Sequence, residues 1–269
     1  MEAQAHGPVR DALACFSSTY GISFGWHTDL DSAGGIEVIN ARDLMLLHVE
    51  ALFTSDDVGR LVAVNERGGA AAPRFFLGRT AQGNAWWFRH DVDVGVADEL
   101  DALCRSQPAG LEVEPGAGSP APFIACLSRQ ELVRRTWAGP AFRFPSDLPR
   151  DETAVRVTPA NATVLCPYLE DWLVDVAAGV PMTVVMDGGQ AVSVCCSVRL
   201  TQRAHEAGVE TTRDFRGRGH AARAVAAWAR AVRDMGLVPL YSTSWENESS
   251  RAVARKLGLI PYGVDLHIT

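Results

Sequence analysis

The sequence predicts an α/β (α+β) protein in two parts, the second of them a mixed β-sheet flanked by helices. Three observations carry that prediction. After residue 150 the segments run strand, two short helices, three strands, helix, strand, helix, strand, the order of a layered α/β sandwich. The helix after the three consecutive strands has Ala221, Val225, Trp228, Ala229 and Val232 at helical spacing, with Arg223, Arg230 and Arg233 among the other positions. That stripe is built to pack on a sheet. Residues 138–150, AGPAFRFPSDLPR, are rich in proline and glycine and read as a linker, which sets an expected boundary between domains over 1–150 and 151–269.

Taken in order, the first part is expected to hold a helix around 8–19, a mixed region to about 60, strands near LVAVN, PRFFLGRT and NAWWFRHDV, and a helix at VADELDALCRS. Trp86 and Trp87 pack on opposite sides of their strand. Residues 107–122 read as a surface loop, and Ser128-Arg129-Gln130-Glu131 has capping-box form that opens a further helix. No motif emerges from this part. In the second part AVRVT (154–158) is a short strand and 160–178 is helical, restarting at Pro167 and stopped by Gly179. PMTVVMD, GQAVSVCCSVRLT and AHEAGVET read as successive strands, with Asp187-Gly188-Gly189 as a hairpin turn. VPLYSTSW is a strand, ENESSRAVARKLG a helix ending at Gly258, and LIPYGVDLHIT a final strand.

The 269 residues are 47% hydrophobic and 21% charged, an ordinary globular composition able to bury a core. No window approaches the roughly 18 uninterrupted apolar residues of a membrane span, and MEAQAHGPVRDALACF has no signal pattern, so a cytoplasmic protein with no membrane partner is expected. Six cysteines (Cys15, Cys104, Cys126, Cys166, Cys195, Cys196) show neither a CxxC pair nor zinc-ligand spacing and read as packing thiols, with Cys195 and Cys196 on opposite faces of a strand. His90-Asp91-Val92-Asp93 reads as loop polarity, and no metal is expected. Lys256 is the sole lysine, so pyridoxal-phosphate and aldolase chemistry would rest on one residue and drop out. A net charge of −7 argues against general nucleic-acid binding.

Against that balance, positive charge collects in RDFRGRGHAA (213–222), between a strand and the amphipathic helix. A helix start exposes unpaired N–H groups and the positive end of the dipole, and glycines let a ligand approach the backbone. Arg216 and Arg218, with Arg213 and Arg223 nearby, suit a polyanionic phosphate ligand. Three patterns compete here. A Walker A loop fails, because Gly219 is followed by His220-Ala221 instead of Lys-[Ser/Thr]. The stretch from Gly217 to Ala222 fits a GxGxxA dinucleotide fingerprint, but too few residues follow to complete a doubly wound domain, and the strand before it carries His205, Glu206 and Glu210.

The third pattern fits in several places. Arg216-Gly217-Arg218-Gly219-His220-Ala221 resembles the [Gln/Arg]-x-x-Gly-x-[Gly/Ala] pyrophosphate loop of the GNAT superfamily of N-acetyltransferases. Asn247-Glu248-Ser249-Ser250, continuing to Leu257-Gly258-Leu259, resembles that superfamily's Asn-x-x-[Ala/Ser] motif ending in Leu-Gly-Phe or similar. The resemblance covers residues 150–269; some two-domain members carry a degenerate copy of the fold in the first half. It implies that backbone amides from Arg216 to Ala221, through Gly217, Arg218, Gly219 and His220, hold the pyrophosphate of acetyl-coenzyme A. It also implies that Val209, Glu210 and Thr211 pair with the pantetheine arm and that Asn247 and Ser250 contact the coenzyme. Gly208 suits the bulge that splays two strands apart.

The implied reaction is acetyl transfer to the primary amine of a small molecule. Glu206 is the first choice for general base and Glu210 the second, weighed against both being ordinary exposed strand carboxylates. Alternation puts both on the face opposite Val209 unless a bulge at Gly208 turns Glu206 round. Many family members protonate the leaving thiol with a tyrosine whose aligned position here is Ala254, which leaves Ser250, Tyr241 or solvent to substitute. Asn247 also suits a helix N-cap, and His205 and His220 read as surface or hydrogen-bonding residues. Three other readings stand beside this one: a non-catalytic acyl-coenzyme A sensor, a dinucleotide-dependent oxidoreductase and an arginine patch for nucleic acid.

Overall fold

The computed structural model describes residues 39–111 and 119–269; the helix expected around 8–19 and Cys15 fall outside them. Where the sequence suggested only a mixed region, the structure has α1 (Ala41–Leu52), capped by Asn40, whose side chain accepts from the Asp43 N–H. Such a cap contributes about 1 kcal/mol. β1 (Phe53–Ser55) and β2 (Leu61–Val64) form a small antiparallel pair. β3 (Phe75–Arg79), β4 (Ala85–Phe88) and α2 (Val94–Ser106) follow as expected. No helix opens at Ser128. That residue instead ends α3 (Ala121–Leu127), and the buried Arg74 guanidinium donates to the carbonyls of Leu127 and Glu131, tying down the turn that follows.

β5 (Thr136–Arg143) takes up the first part of the expected linker, 138–143. Its proline and glycine misled the composition argument: Gly139 is required because a Cβ there would lie 1.8 Å from the Thr243 carbonyl oxygen of a crossing backbone. Then come β6 (Ala154–Arg156), 3-10 turns over 159–165 and 170–172, α4 (Leu173–Ala177), β7 (Met182–Asp187), β8 (Gln190–Leu200) and β9 (Ala204–Thr211). After a 3-10 turn at 213–215 the chain ends with α5 (His220–Arg233), β10 (Val238–Ser242), α6 (Glu248–Lys256) and β11 (Ile260–Ile268).

Nine of these strands form one sheet in the order β4-β3-β11-β5-β10-β9-β8-β7-β6. Only β9 and β10 run parallel. Strands from both sides of residue 150 therefore share the sheet, and β5 lies between β10 and β11. Trp228 on α5 is fully buried among Phe144, Val225 and Tyr241 on one face, where α2 and α3 also pack. Burying such a side chain is worth ~3 kcal/mol. The other face is covered by α1 and by the segment ending in α4. As expected, Trp86 and Trp87 fall in different cores, and so do Cys195 and Cys196.

Candidate active site

β9 and β10 pair from Ala204 to Glu206 against Val238 to Leu240 and then part. β9 continues to Thr211 on β8 alone, while β10 turns to β5. This leaves the β10-facing edge of β9 without a strand partner along the wall of a cleft of about 1240 Å³. The bulge is not at Gly208 but on β8, between Ser197 and Arg199, opposite Ala207 and Glu206. Gly208 makes room for it, since a Cβ there would lie 2.2 Å from a Val198 methyl. Glu206 therefore keeps the face that alternation gives it, opposite Val209.

At one end of the cleft α5 begins at Gly219, which has φ of 83° as N-cap. That left-handed conformation suits glycine, and a Cβ would also lie 2.2 Å from Lys256 Nζ. Val209, Glu210 and Thr211 of β9 line the cleft, as do Arg216, Gly217, Gly219, His220 and Ala221 of the basic loop. Asn247 and Ser250 join them; Asn247 also caps α6, accepting from the Ser250 N–H at 3.0 Å. Arg218 does not join. Its guanidinium sits 5.0 Å from the Phe215 ring centre and donates to the Asp214 carbonyl, a cation–π contact that outcompetes the cleft. Arg223 is likewise turned to Asp151 and Thr153. Lys256 lines the site instead, a residue that only its being the sole lysine singled out.

Both histidines flanking the loop are buried and hydrogen-bonded, not on the surface. His205 Nδ1 meets the Ser197 hydroxyl at 2.9 Å, and that hydroxyl accepts from Trp228 Nε1. His220 contacts the Arg223 guanidinium, and burial together with that cation lowers its pKa. Glu210 is exposed and accepts from Trp172 Nε1 at 2.7 Å. Glu206, by contrast, is 2% exposed and lies behind the cleft wall, where Ser242, which does line the cleft, donates its hydroxyl proton to Oε1 at 2.7 Å. The sequence alone did not single out Ser242.

The family model for GNAT acetyltransferases matches residues 176–262, the segment that contains the parted strands, the basic loop and α6. This part of the chain is a GNAT acetyltransferase domain. No curated protein matches the chain. Among solved structures, a GCN5-related N-acetyltransferase from Kribbella flavida is 18% identical, with 88% of this chain and 96% of that chain covered and a TM-score of 0.45. A GNAT-family protein from Novosphingobium aromaticivorans is also 18% identical, at a TM-score of 0.41; the match covers 51% of this chain and 65% of that one, just under two thirds of its length. An aminoglycoside N-acetyltransferase in complex with CoA is 19% identical, with 39% and 89% covered and a TM-score of 0.33.

Within the GNAT domain, the position of the family tyrosine is the buried Ala254. A phenol nevertheless stands close by. Tyr241 on β10 meets the Ser250 hydroxyl at 2.7 Å, and burial pushes the phenol's pKa up. Ser250 carries that contact to the cleft. Among the described residues no group of histidine, cysteine, aspartate or glutamate could hold a metal, and no helix is long and apolar enough to cross a membrane.

Proposed function

We propose that the protein transfers an acetyl group from acetyl-coenzyme A to the primary amine of a small molecule. The observation that carries the reading is the start of α5. Its free N–H groups, the glycines at 217 and 219 and the Lys256 ammonium converge on one end of a cleft that continues along the unpaired edge of β9. A pyrophosphate at the loop and an extended pantetheine on that edge fit this arrangement, the latter as an added strand. The arm would bring the thioester toward the point where β9 and β10 part, beside Ser242. The acceptor would enter from the other end, where Phe53, Arg135 and Trp137, from before residue 150, meet Arg199 and His267.

Attack by a neutral amine on the thioester carbonyl forms the C–N bond and places charge on oxygen, and collapse breaks the C–S bond. Glu206 serves as base, with Glu210 second, and Tyr241 through Ser250 supports protonation of the leaving sulfur.

Calorimetric titration of acetyl-coenzyme A into the wild type and into Gly219→Glu tests the loop before any acceptor is known. Binding by the wild type that the variant abolishes supports the reading; absence of wild-type binding overturns it. Binding without thiol release across an amine panel would favour the sensor instead.

A further inference from the structure

Behind the cleft wall, Glu206 belongs to a chain of charge whose other members the reading above does not use. His48, on α1 and fully buried, has Nε2 3.0 Å from Asp265 Oδ2 and Nδ1 3.4 Å from Glu206 Oε2, the first a hydrogen bond and the second an ion pair out of hydrogen-bond alignment. His267 donates to the same Asp265 oxygen at 3.0 Å, lines the cleft and stacks on Trp137. Asp265 and Glu206 are 0% and 2% exposed. Two carboxylates cannot be taken out of water without compensation, since the penalty is several kcal/mol for each ion. Among the described residues no lysine or arginine is paired with either. The titratable groups facing His48 are Glu206 from β9, and Asp265 and Tyr262 from β11, with His267 one step further on; the Phe76 ring of β3 packs beside it.

Glu206 reaches the cleft through one contact. Ser242 has a single hydroxyl proton and gives it to Glu206, so the lone pairs of its oxygen are left to accept from whatever occupies the cleft. We propose that the amine proton passes to Glu206 through the Ser242 hydroxyl, and that His48, held by Asp265, is the positioning residue that compensates Glu206. This rests on the acyltransferase reading. As nitrogen attacks and the C=O π pair moves to oxygen, the amine N–H proton goes to Ser242 Oγ while the Ser242 proton goes to Glu206. Collapse restores the carbonyl and expels the thiolate with the C–S electrons. The proton returns from Glu206 through Ser242 to sulfur, giving amide and thiol with no net proton gained or lost. This return path takes the place of the Tyr241 and Ser250 route as the acid for the sulfur, where the family tyrosine is missing.

The test uses acetyl-coenzyme A with a panel of primary amines, scored by thiol release, together with calorimetric binding of the coenzyme. Ser242→Ala is expected to lower kcat at least ~100-fold, in the range of general-base effects, with coenzyme affinity kept and turnover partly restored by Ser242→Thr. His48→Gln keeps a hydrogen-bonding side chain without the charge and is expected to move the acid limb of the kcat profile toward neutral pH. Nitrogen-15 NMR of the imidazoles needs no acceptor: His48 should carry both protons at pH 8 in the wild type and lose one in Glu206→Gln as pH rises, at a lower pH than in the wild type. Wild-type turnover in Ser242→Ala, an unmoved acid limb in His48→Gln, or a singly protonated His48 at pH 8 would overturn the inference. A wild type that neither binds acetyl-coenzyme A nor releases thiol would instead sink the acyltransferase reading.

Discussion

Between about pH 7 and pH 9 an unfolded chain has given up its histidine protons, whereas folded His48 has not. Burial alone would lower its pKa, but hydrogen bonding and charge from Asp265 and Glu206 outweigh that and raise it from 6.5 to about 10. The stability from this raised group is fully present below 6.5 and is lost as pH rises through about 10. In the window between, the folded state holds one more proton than the unfolded state, so unfolding free energy should fall by ~1.4 kcal/mol per pH unit, or ~2.7 kcal/mol over two units. Other buried groups act toward its two ends. Burial holds His205 and His220 below the ordinary value, so their effect develops as pH falls through 6.5. Cys104 and Cys196, pushed up to about 12 by burial, matter only as unfolded thiols ionise near 9.0. Urea unfolding of wild type and His48→Gln at half-unit steps of pH measures the slope. A flat wild-type profile, or an equal slope in the variant, would refute the assignment of the proton to His48.

Gly139→Ala should destabilise the fold by ~2 kcal/mol or more, because the new Cβ meets backbone and not a yielding side chain; an unchanged melting temperature would contradict the close crossing at Thr243. Lys256→Gln should weaken acetyl-coenzyme A binding about tenfold, the worth of one charge-assisted hydrogen bond, with the loss shrinking in high salt. Equal affinity at low salt would remove Lys256 from the phosphate site. Glu206→Gln should cut turnover by ~100-fold or more while coenzyme affinity stays within about twofold. If turnover is unaltered, Glu206 is not the base.

The second half was legible because its signals are local: the Gly188-Gly189 turn, the α5 stripe and the Asn247 cap each act within a few residues. Ten of the eleven residues expected at the coenzyme line the cleft for the same reason; Arg218 does not, because Phe215, three residues back, supplies a ring for it. α1 was missed although Asn40 and Asp43 mark its start, since its buried residues run almost without interruption from Leu44 to Leu52 and leave no polar face to mark a helical period. β5 was hidden by composition, its glycine and proline being answers to partners far along the chain. The couple of His48 with Asp265 and the contact of Ser242 with Glu206 were illegible for the deeper reason that each joins residues distant in sequence, and no spacing rule links them.

β11 fills the gap between β3 and β5, and synthesis delivers those two strands long before it. A growing chain therefore carries two open edges that cannot pair until β11 emerges, a non-local closure of the kind that slows folding and exposes strands to association. The basic loop and α5 are already made by then, whereas His48 still waits for Asp265. Translation rate and temperature should thus govern the yield of competent protein more than the intrinsic strength of any one element, and a chaperone that shields strand edges would act during that interval.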